Sequence, residues 1–318
     1  MKLLTRSDFD GLMCAVLLKH LDLFDEIKYV HPKDIQDGSV EVSSEDILAN
    51  IPFVPGCGMW FDHHSSEEER GVLKGHFFKG SSWPAPSCAR VIYEYYGGDD
   101  GDLRKFRSMI AWADKCDSAY FTKDEILHPE GWVLLSFLMD PRTGLGYHKE
   151  YRISNYQLML SLVDHLQNED VDSILELPDV QERVIRYREH QKIFEDYMFR
   201  HSKMMGDVVV TDLRGVDDQI PGNRHVVYAL FPEATISIRI FDGKNKEFCV
   251  FSVGHSILKR GSDVNVGKIL LNYGGGGHFK VGTCQVPYSE ADRVLSEMLC
   301  SMGVILNPKE HLSFCGEK

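Results

Sequence analysis

Short apolar segments and a segment of helical period alternate along the N-terminal part of the chain, and this alternation limits the fold more than any other feature. Apolar segments suited to strands occur at residues 2–5, 27–30, 47–49 and 59–61, and residues 11–23 follow a helical period. Strands separated by helical segments favour parallel pairing, because a parallel connection needs a crossover that is usually a helix. The sequence therefore predicts an α/β fold with a parallel sheet in its N-terminal domain.

A different pattern begins near residue 208 and predicts a separate C-terminal domain. Apolar residues alternate there with a period of two, which suits the strands of an antiparallel or mixed sheet. The strand segments are residues 208–210, 226–230, 235–240 and 248–253. A charged helical segment precedes them and ends at Gly206, which would be its C-cap. The predicted organisation is an N-terminal domain over residues 1–180, a linker helix over 181–205 and a smaller C-terminal α/β domain with a mixed sheet over 206–318.

Composition and charge exclude several classes of protein. The chain has 318 residues and a net charge of −13, whereas a protein that binds long duplex nucleic acid is usually basic. Its eight cysteines form no Cys-x-x-Cys pair, so a zinc ribbon is not expected and the cysteines are interpreted as reduced. No run of about 18 apolar residues occurs, and the N-terminus lacks the apolar segment of a signal peptide. We expect a cytoplasmic protein that does not span a membrane and that can act on a small anionic substrate.

Two carboxylates follow the first predicted strand. Asp8 and Asp10 precede Gly11, which lets the backbone turn into the following helix. In α/β sheets the crevice outside the carboxyl ends of the strands is where ligands bind. Carboxylate oxygens are favoured by Mg²⁺ and Mn²⁺, so the pair indicates a divalent-metal site. The alternative is that one aspartate caps the helix and the other is exposed.

The fourth predicted strand ends in the triplet Asp62-His63-His64. An imidazole nitrogen suits Mn²⁺ or Fe²⁺ better than Mg²⁺. One histidine could bind a metal while the other handles a proton or contacts the leaving oxygen, and the carboxylate could orient a ligating histidine. The alternative is a surface triplet that only follows a strand.

Asp114 and Asp117 are two further carboxylates that could complete the metal site. Both follow an apolar helical segment. Either would supply the oxygen ligand, and Asp114 is the preferred candidate. The alternative is that both aspartates solvate the end of a helix.

A run of four glycines near the C-terminus indicates a phosphate-binding loop. Gly274, Gly275, Gly276 and Gly277 are followed directly by His278. Consecutive glycines are costly in conformational entropy and mark a tight bend or the close approach of the backbone to a ligand. Successive N–H groups in such a loop can bind an anion, and Arg239 or the adjacent histidine would add charge. His255 and Ser256 are further candidates for substrate contacts, and a plain turn is the alternative for the glycine run.

These motifs, taken in order, resemble the DHH phosphoesterase superfamily with its C-terminal DHH-associated domain. The matching positions are Asp8-x-Asp10-Gly11, Asp62-His63-His64, Asp114 and the glycine run that ends in His278. The resemblance covers nearly the whole chain and is strongest to exopolyphosphatase-related and nano-RNase-like members. It implies a catalytic N-terminal domain, a substrate-binding C-terminal domain and a cleft between them.

The resemblance also implies roles for individual residues. Two Mn²⁺ ions would bind the substrate phosphate and activate a water molecule for in-line attack, with Mg²⁺ as the alternative metal. The metal ligands carried over from the family are Asp8, Asp10, His63 and Asp114. Asp62 would be a supporting carboxylate, and His64 would contact the substrate or the leaving group.

Two positions depart from the family pattern and weaken the same metal site. Many members have a histidine before the Asp-x-Asp pair, where this chain has Arg6, and a bridging aspartate where this chain has Asn50. A neutral amide does not balance two dications. We therefore predict that one metal is retained and that Arg6 partly replaces the other, because a guanidinium pairs with phosphate oxygens in a bidentate way. Asn50 would then contact substrate, and His31 or Asp34 could instead supply a missing ligand.

Three functions follow from these observations. The leading one is a Mn²⁺-dependent phosphoesterase that hydrolyses short nucleotide-type phosphodiesters, namely short oligonucleotides or linear or cyclic dinucleotides. The second is a hydrolase of pyrophosphate or polyphosphate. Aromatic residues that could stack on a base would favour nucleotides, and the candidates are Tyr228, Tyr273 and Phe279. The third is a nucleotide-binding protein without activity, because two expected ligands are altered. A homodimer is expected from relatives.

Overall fold

The computed structural model describes residues 1–64, 73, 75–216 and 220–305 of the chain. Cys315 and the rest of the predicted C-terminal domain beyond residue 305 lie outside the described residues. The chain divides into two compact units. The N-terminal unit comprises Met1–Phe121 and His128–Arg188, and the C-terminal unit comprises Thr122–Leu127 and Glu189–Lys318.

A parallel sheet is the framework of the N-terminal unit, as the sequence predicts, but it has five strands and not only the four that the sequence indicates. Its strands are β1 Lys2–Arg6, β2 Glu26–Val30, β3 Asp46–Ala49, β4 Met59–Asp62 and β5 Gly80–Ser82. They pair in the order β2-β1-β3-β4-β5, and every pair is parallel. Every residue of β3 and β4 is buried, which is typical of parallel strands covered on both faces. The carboxyl ends of β1, β3 and β4 therefore lie side by side at one edge of the sheet.

Twelve helices are present in the described part of the chain. They are α1 Phe9–His20, α2 Pro32–Gln36, α3 Cys88–Tyr95, α4 Arg107–Asp117, α5 Lys123–Leu127, α6 Gly131–Met139, α7 Asn155–His165, α8 Val171–Glu176, α9 Pro178–Arg200, α10 Val226–Leu230, α11 Val266–Leu271 and α12 Ala291–Ser301. Helix α1 is buried along its whole first part, from Phe9 to Leu18, because it is apolar on nearly every side. The apolar segment 132–138, which the sequence leaves undecided, lies within α6. No helix of the described residues is long and apolar enough to cross a membrane.

The C-terminal unit contains a six-stranded mixed sheet, which confirms the second half of the predicted fold. Its strands are β6 Ser202–Met205, β7 Val208–Leu213, β8 Ile236–Asp242, β9 Phe248–His255, β10 Gly276–Gly277 and β11 Val281–Pro287. The order is β10-β11-β9-β8-β7-β6, in which only β7 and β8 pair in parallel. Apolar residues of these strands form a buried core with α11 and α12.

Two details of the predicted layout are wrong in this unit. The linker helix was predicted to reach residue 205, but α9 ends at Arg200 and residues 202–205 form β6. Gly206 adopts φ +61° in the hairpin between β6 and β7, so its conformational freedom serves a turn and not a helix cap. Residues 226–230 were predicted as a strand but form α10, because a short run of apolar residues fits a buried helix equally well.

Candidate metal centre and phosphate-binding residues

The turn from β1 into α1 presents the first two carboxylates. Asp8 is the N-cap of α1, and its Oδ1 accepts the N–H of Gly11 at 3.0 Å. A Cβ atom at Gly11 would lie 2.0 Å from the carbonyl oxygen of Arg6, so only glycine allows this sharp turn. Asp8 therefore caps α1, whereas Asp10 is buried and not exposed as the alternative predicted.

The carboxylate of Asp10 is buried at the N-terminus of α3. It accepts the N–H of Cys88 at 2.8 Å and the N–H of Ala89 at 2.9 Å. Burial raises the pKa of Asp10 well above its ordinary value, and the nearby carboxylates of Asp117 and Asp8 raise this pKa further. A buried group of this kind is stabilised as a carboxylate by a cation.

His63 presents an unpaired ring nitrogen to two carboxylates. Its Nδ1 lies 3.0 Å from the carbonyl oxygen of Ala85, which can only accept a hydrogen bond, so Nδ1 carries the proton. The opposite nitrogen, Nε2, is buried and has no hydrogen-bond partner among the described residues. It lies 3.8 Å from Oδ2 of Asp10 and 3.4 Å from Oδ2 of Asp117. One ligand atom from each of these three residues lies within 4.8 Å of the others, which suits a single divalent cation.

The side-chain positions favour Asp117 over the preferred candidate, Asp114. Asp114 accepts hydrogen bonds from Nη2 of Arg90 at 2.7 Å and from the hydroxyl of Ser87 at 2.7 Å. Its carboxylate is therefore engaged with α3, whereas Asp117, the last residue of α4, lies beside His63. The two aspartates are three residues apart and so share one face of the helix, which is why their spacing did not distinguish them.

Asp62 orients the second histidine of the triplet. The side chain of Asp62 is 2% exposed, and its Oδ1 lies 2.8 Å from Nδ1 of His64 and 2.9 Å from the backbone nitrogen of His63. Burial lowers the pKa of His64, but the hydrogen bond and charge of Asp62 more than offset this effect, so the pKa is raised overall. With Nδ1 occupied by Asp62, the Nε2 atom of His64 is the one left to contact a substrate.

The two departures from the family pattern meet at Asp8. Nε of Arg6 lies 2.8 Å from Oδ2 of Asp8, and Nδ2 of Asn50 donates to Oδ1 of Asp8 at 3.2 Å. Asn50 has φ +57°, a left-handed conformation that asparagine tolerates better than most residues. Its Oδ1 is buried without a partner among the described residues. Asp8 thus has its charge balanced within the protein, unlike Asp10.

Arg142 is a functional candidate that the sequence analysis missed. It lies in the 3₁₀ turn Pro141–Thr143 after α6, where its Nε donates to Oδ1 of Asp140 at 2.7 Å. Partial burial lowers the pKa of Arg142, but the negative charges of Asp140, Asp8 and Asp117 raise it overall, and its side chain is 50% exposed. The available signal was an arginine in a segment with the turn residues Pro141 and Gly144, since binding residues are often on the segments that connect helices and strands. His31 caps α2 by accepting the N–H of Lys33 at 3.1 Å, and neither it nor Asp34 belongs to either of the two groups of possible metal ligands found among the described residues.

Three of the four glycines are required by the fold of the C-terminal unit. Gly274 has φ +70°, and a Cβ atom at Gly275 would lie 2.4 Å from the carbonyl oxygen of Thr283. A Cβ atom at Gly277 would lie 2.3 Å from the carbonyl oxygen of Val281. Gly276 is the exception, because a Cβ atom there meets nothing within 4 Å. A plain structural reason therefore accounts for the other three glycines but not for Gly276.

The remaining predicted substrate contacts also lie in the C-terminal unit. Nε of Arg239 is buried and has no partner among the described residues, and burial lowers the pKa of this arginine. The ring of His255 packs edge-on against Phe279 at 5.7 Å, and its Nε2 lies 2.8 Å from the carbonyl oxygen of Val264. The backbone N–H of His278 donates to the carbonyl oxygen of Val281 at 2.8 Å.

Four further side chains were proposed to contact the substrate or to stack on its base. Three of them form hydrogen bonds within the protein, and the fourth is partly exposed. Ser256 is buried, and its hydroxyl oxygen accepts the N–H of Lys259 at 3.0 Å. Tyr228 is buried and lies 2.7 Å from the hydroxyl of Ser237, whereas Tyr273 donates to Glu297 at 3.2 Å. Phe279 is 47% exposed and is therefore the aromatic residue of the three that is most accessible to a base.

Fold and site together define a DHH phosphoesterase. The N-terminal parallel sheet brings the Asp-x-Asp pair and the Asp-His-His triplet to one edge, and the C-terminal unit carries the glycine run in a mixed sheet. The chain belongs to the DHH phosphoesterase superfamily, and the resemblance seen in the sequence is confirmed.

Comparison with solved structures supports this assignment. No protein-family model and no curated protein matches the sequence. Among solved structures, the chain is 45% identical to the pGpG-specific phosphodiesterase PggH from Vibrio cholerae, with a TM-score of 0.80 over 95% of this chain and 98% of that chain. An exopolyphosphatase-related protein from Bacteroides fragilis is 14% identical, with a TM-score of 0.50 over 95% of this chain and 91% of that chain, and therefore shares the fold alone.

Proposed function

We propose that this chain is a divalent-metal-dependent phosphodiesterase that cleaves short linear nucleotides, with the linear dinucleotide pGpG as its substrate. The proposed activity rests mainly on one observation: the Nε2 atom of His63 is unpaired and lies between the carboxylates of Asp10 and Asp117. The choice of pGpG is supported by 45% identity to a pGpG-specific enzyme over nearly the full length of both chains.

One metal ion per chain is the stoichiometry that the charges favour. Asp10, His63 and Asp117 would hold this ion, and their two oxygens and one imidazole nitrogen suit Mn²⁺ better than Mg²⁺. When bound, it would supply positive charge to a phosphoryl oxygen and lower the pKa of a bound water molecule. Asp8 is already neutralised by Arg6 at 2.8 Å, so the residues of a second site carry less uncompensated negative charge.

The remaining groups of the N-terminal unit would bind and orient the scissile phosphate. The guanidinium of Arg6, which lies 2.8 Å from Asp8, would supply fixed positive charge beside the metal ligands, and Arg142 would be a second source of such charge. Such charges stabilise the negative charge that develops on phosphoryl oxygens in the transition state. We assign the contact with the leaving oxygen to Nε2 of His64, because Asp62 holds the opposite nitrogen at 2.8 Å.

The glycine run and its neighbours would form a phosphate-binding segment within the C-terminal unit. The backbone around Gly276 is open to close approach, and the guanidinium of Arg239 has donors to spare. These features support the earlier prediction of a phosphate-binding segment in the C-terminal unit. Roles for His255, Ser256 and His278, a homodimeric state and a cytoplasmic location stay predictions.

The test is hydrolysis of pGpG in the presence of Mn²⁺, followed by ion-exchange chromatography of the products. One water molecule per pGpG yields two GMP molecules, so GMP should appear at twice the rate of pGpG loss. His63→Ala should abolish this activity, and the control His165→Ala, which changes a histidine paired with Glu169, should retain it.

The alternatives give distinct results in the same experiment. Release of phosphate from polyphosphate without GMP formation from pGpG would support the polyphosphatase function. Binding of pGpG without product would support a nucleotide-binding protein. Full activity of His63→Ala would exclude the proposed metal centre.

A further inference from the structure

A pocket in the N-terminal unit begins at Ser7, three residues before the metal-site aspartate Asp10. Its volume is about 300 Å³, which is at the lower end of the range for small-molecule sites. Ser7, the residue directly before Asp8, is part of its wall. The other wall residues that matter here are Gly146, Tyr147, Lys149, Asn155 and Met159. A substrate whose phosphate lies at the metal centre could therefore extend into this pocket.

The amide of Asn155 is held in one orientation from behind the pocket. Nε of Arg183 lies 3.2 Å from Oδ1 of Asn155. A guanidinium only donates hydrogen bonds, so the amide oxygen must face Arg183 and the amide nitrogen must face away. Arg183 has a fully buried side chain, donates to the carbonyl oxygens of Asp179 and Ile153, and lies over the ring of Tyr151 at 3.8 Å. The orientation of the amide is thus set by a rigid neighbour.

Two of the side chains that line the pocket, Asn155 and Lys149, carry hydrogen-bond donors that a ligand can use. Nδ2 of Asn155 lies 3.4 Å from the position of a Cβ atom on Gly146, and both residues line the pocket. The ammonium of Lys149 donates to the carbonyl oxygen of Gly146 at 3.2 Å and has two further protons. The hydroxyl of Ser7 donates to the sulfur of Met159 at 3.3 Å. Tyr147, at the same pocket, is 66% exposed and presents an aromatic face to solvent.

We propose that this pocket binds a guanine base, with Nδ2 of Asn155 donating to its N7 and O6 edge and Tyr147 stacking on the ring. Guanine presents two adjacent acceptors on this edge, whereas adenine places a donor, the N6 amino group, beside its N7 acceptor. Donors from Asn155 and Lys149 therefore match guanine and oppose adenine. The inference rests on the proposed function, because it names the residues that select the base of the dinucleotide.

Asn155→Asp is the decisive variant, because it alters recognition while keeping the local structure. The carboxylate retains an oxygen for Arg183 and has nearly the same size. Residue 155 is the first residue of α7, where a negative charge is favoured by the helix dipole. The change replaces the amide donors with an acceptor that repels N7 and O6 of guanine but can accept the N6 amino group of adenine. Asn168→Asp, at an exposed position after α7, is the matched control.

The experiment measures the affinity of the full chain for 5′-GMP and for 5′-AMP by calorimetry, together with kcat/KM for pGpG. Loss of one bidentate base contact costs about 1–3 kcal/mol, so Asn155→Asp should bind GMP about 5- to 150-fold more weakly and lower the preference for GMP over AMP. Asn168→Asp should match the wild type in both affinities. Equal GMP affinity in Asn155→Asp and Asn168→Asp would overturn the proposal, even if pGpG is cleaved. Selective loss of GMP binding in a chain that never cleaves pGpG would support the pocket and reject the proposed function.

Discussion

Exchanging Asp117 for asparagine and, separately, Asp114 for asparagine should give opposite results, because the two carboxylates have different partners. Asp117 lies 3.4 Å from Nε2 of His63 and raises the pKa of Asp10 by charge repulsion. Asp114 is paired with Arg90 at 2.7 Å, and the two side chains are 18% and 23% exposed. The first variant should therefore weaken metal binding, and the second should weaken folding.

The magnitudes follow from linkage between binding and unfolding. At a Mn²⁺ concentration of about 100 times Kd, the metal adds about 2.7 kcal/mol to the free energy of unfolding. Loss of an outer-sphere partner weakens metal binding by up to about 100-fold, and loss of a direct ligand should weaken it at least as much, so in Asp117→Asn the added free energy should fall to about 0.4 kcal/mol or less. Without metal, the same variant should be as stable as the wild type or more stable, because a like charge beside Asp10 is removed.

Asp114→Asn should lower the free energy of unfolding by about 1–3 kcal/mol without metal, since it removes hydrogen bonds to a charged, largely buried arginine. Its Mn²⁺-dependent stabilisation should remain near that of the wild type. The assay is urea unfolding of both variants with and without Mn²⁺. Loss of the Mn²⁺ effect in Asp114→Asn, together with its retention in Asp117→Asn, would refute the assignment.

Three further predictions test other parts of the site. Asp62→Asn should lower kcat for pGpG by about 10- to 100-fold with little change in Mn²⁺ affinity, because it weakens the 2.8 Å contact that orients His64; equal kcat would contradict this. The double variant Arg6→His with Asn50→Asp should bind two Mn²⁺ ions per chain instead of one, as measured by elemental analysis. An unchanged count would argue that charge balance at Asp8 is not what limits the site to one ion. Gly276→Ala should fold normally and raise KM for pGpG, whereas Gly275→Ala should lower thermal stability because its Cβ would lie 2.4 Å from a carbonyl oxygen. An unchanged KM in a stable Gly276→Ala variant would mean that the substrate does not approach this glycine.

Much of the fold could be predicted because its elements repeat locally. Fully apolar segments such as 47–49 and 59–61 predict buried parallel strands, and the period-two alternation of 235–240 predicts a strand in a sheet with two different faces. Residues 226–230 were misassigned because a run of five residues is too short for its period to be measured. The end of α9 was misplaced because residues 202–205 pair with β7, and pairing between segments leaves no local periodic signal.

The sequence by itself determined the chemical groups of the site and the order in which they occur. Asp8, Asp10 and the Asp62-His63-His64 triplet follow predicted strands, and the carboxyl ends of parallel strands converge at one edge of a sheet. Only the tertiary structure placed Asp117 beside His63 and Asp114 against Arg90. It likewise paired Arg6 with Asp8 and oriented Asn155 against Arg183. The physical reason is that periodicity reports which face of an element a residue occupies, whereas hydrogen bonds and ion pairs depend on distances between elements that are far apart in sequence.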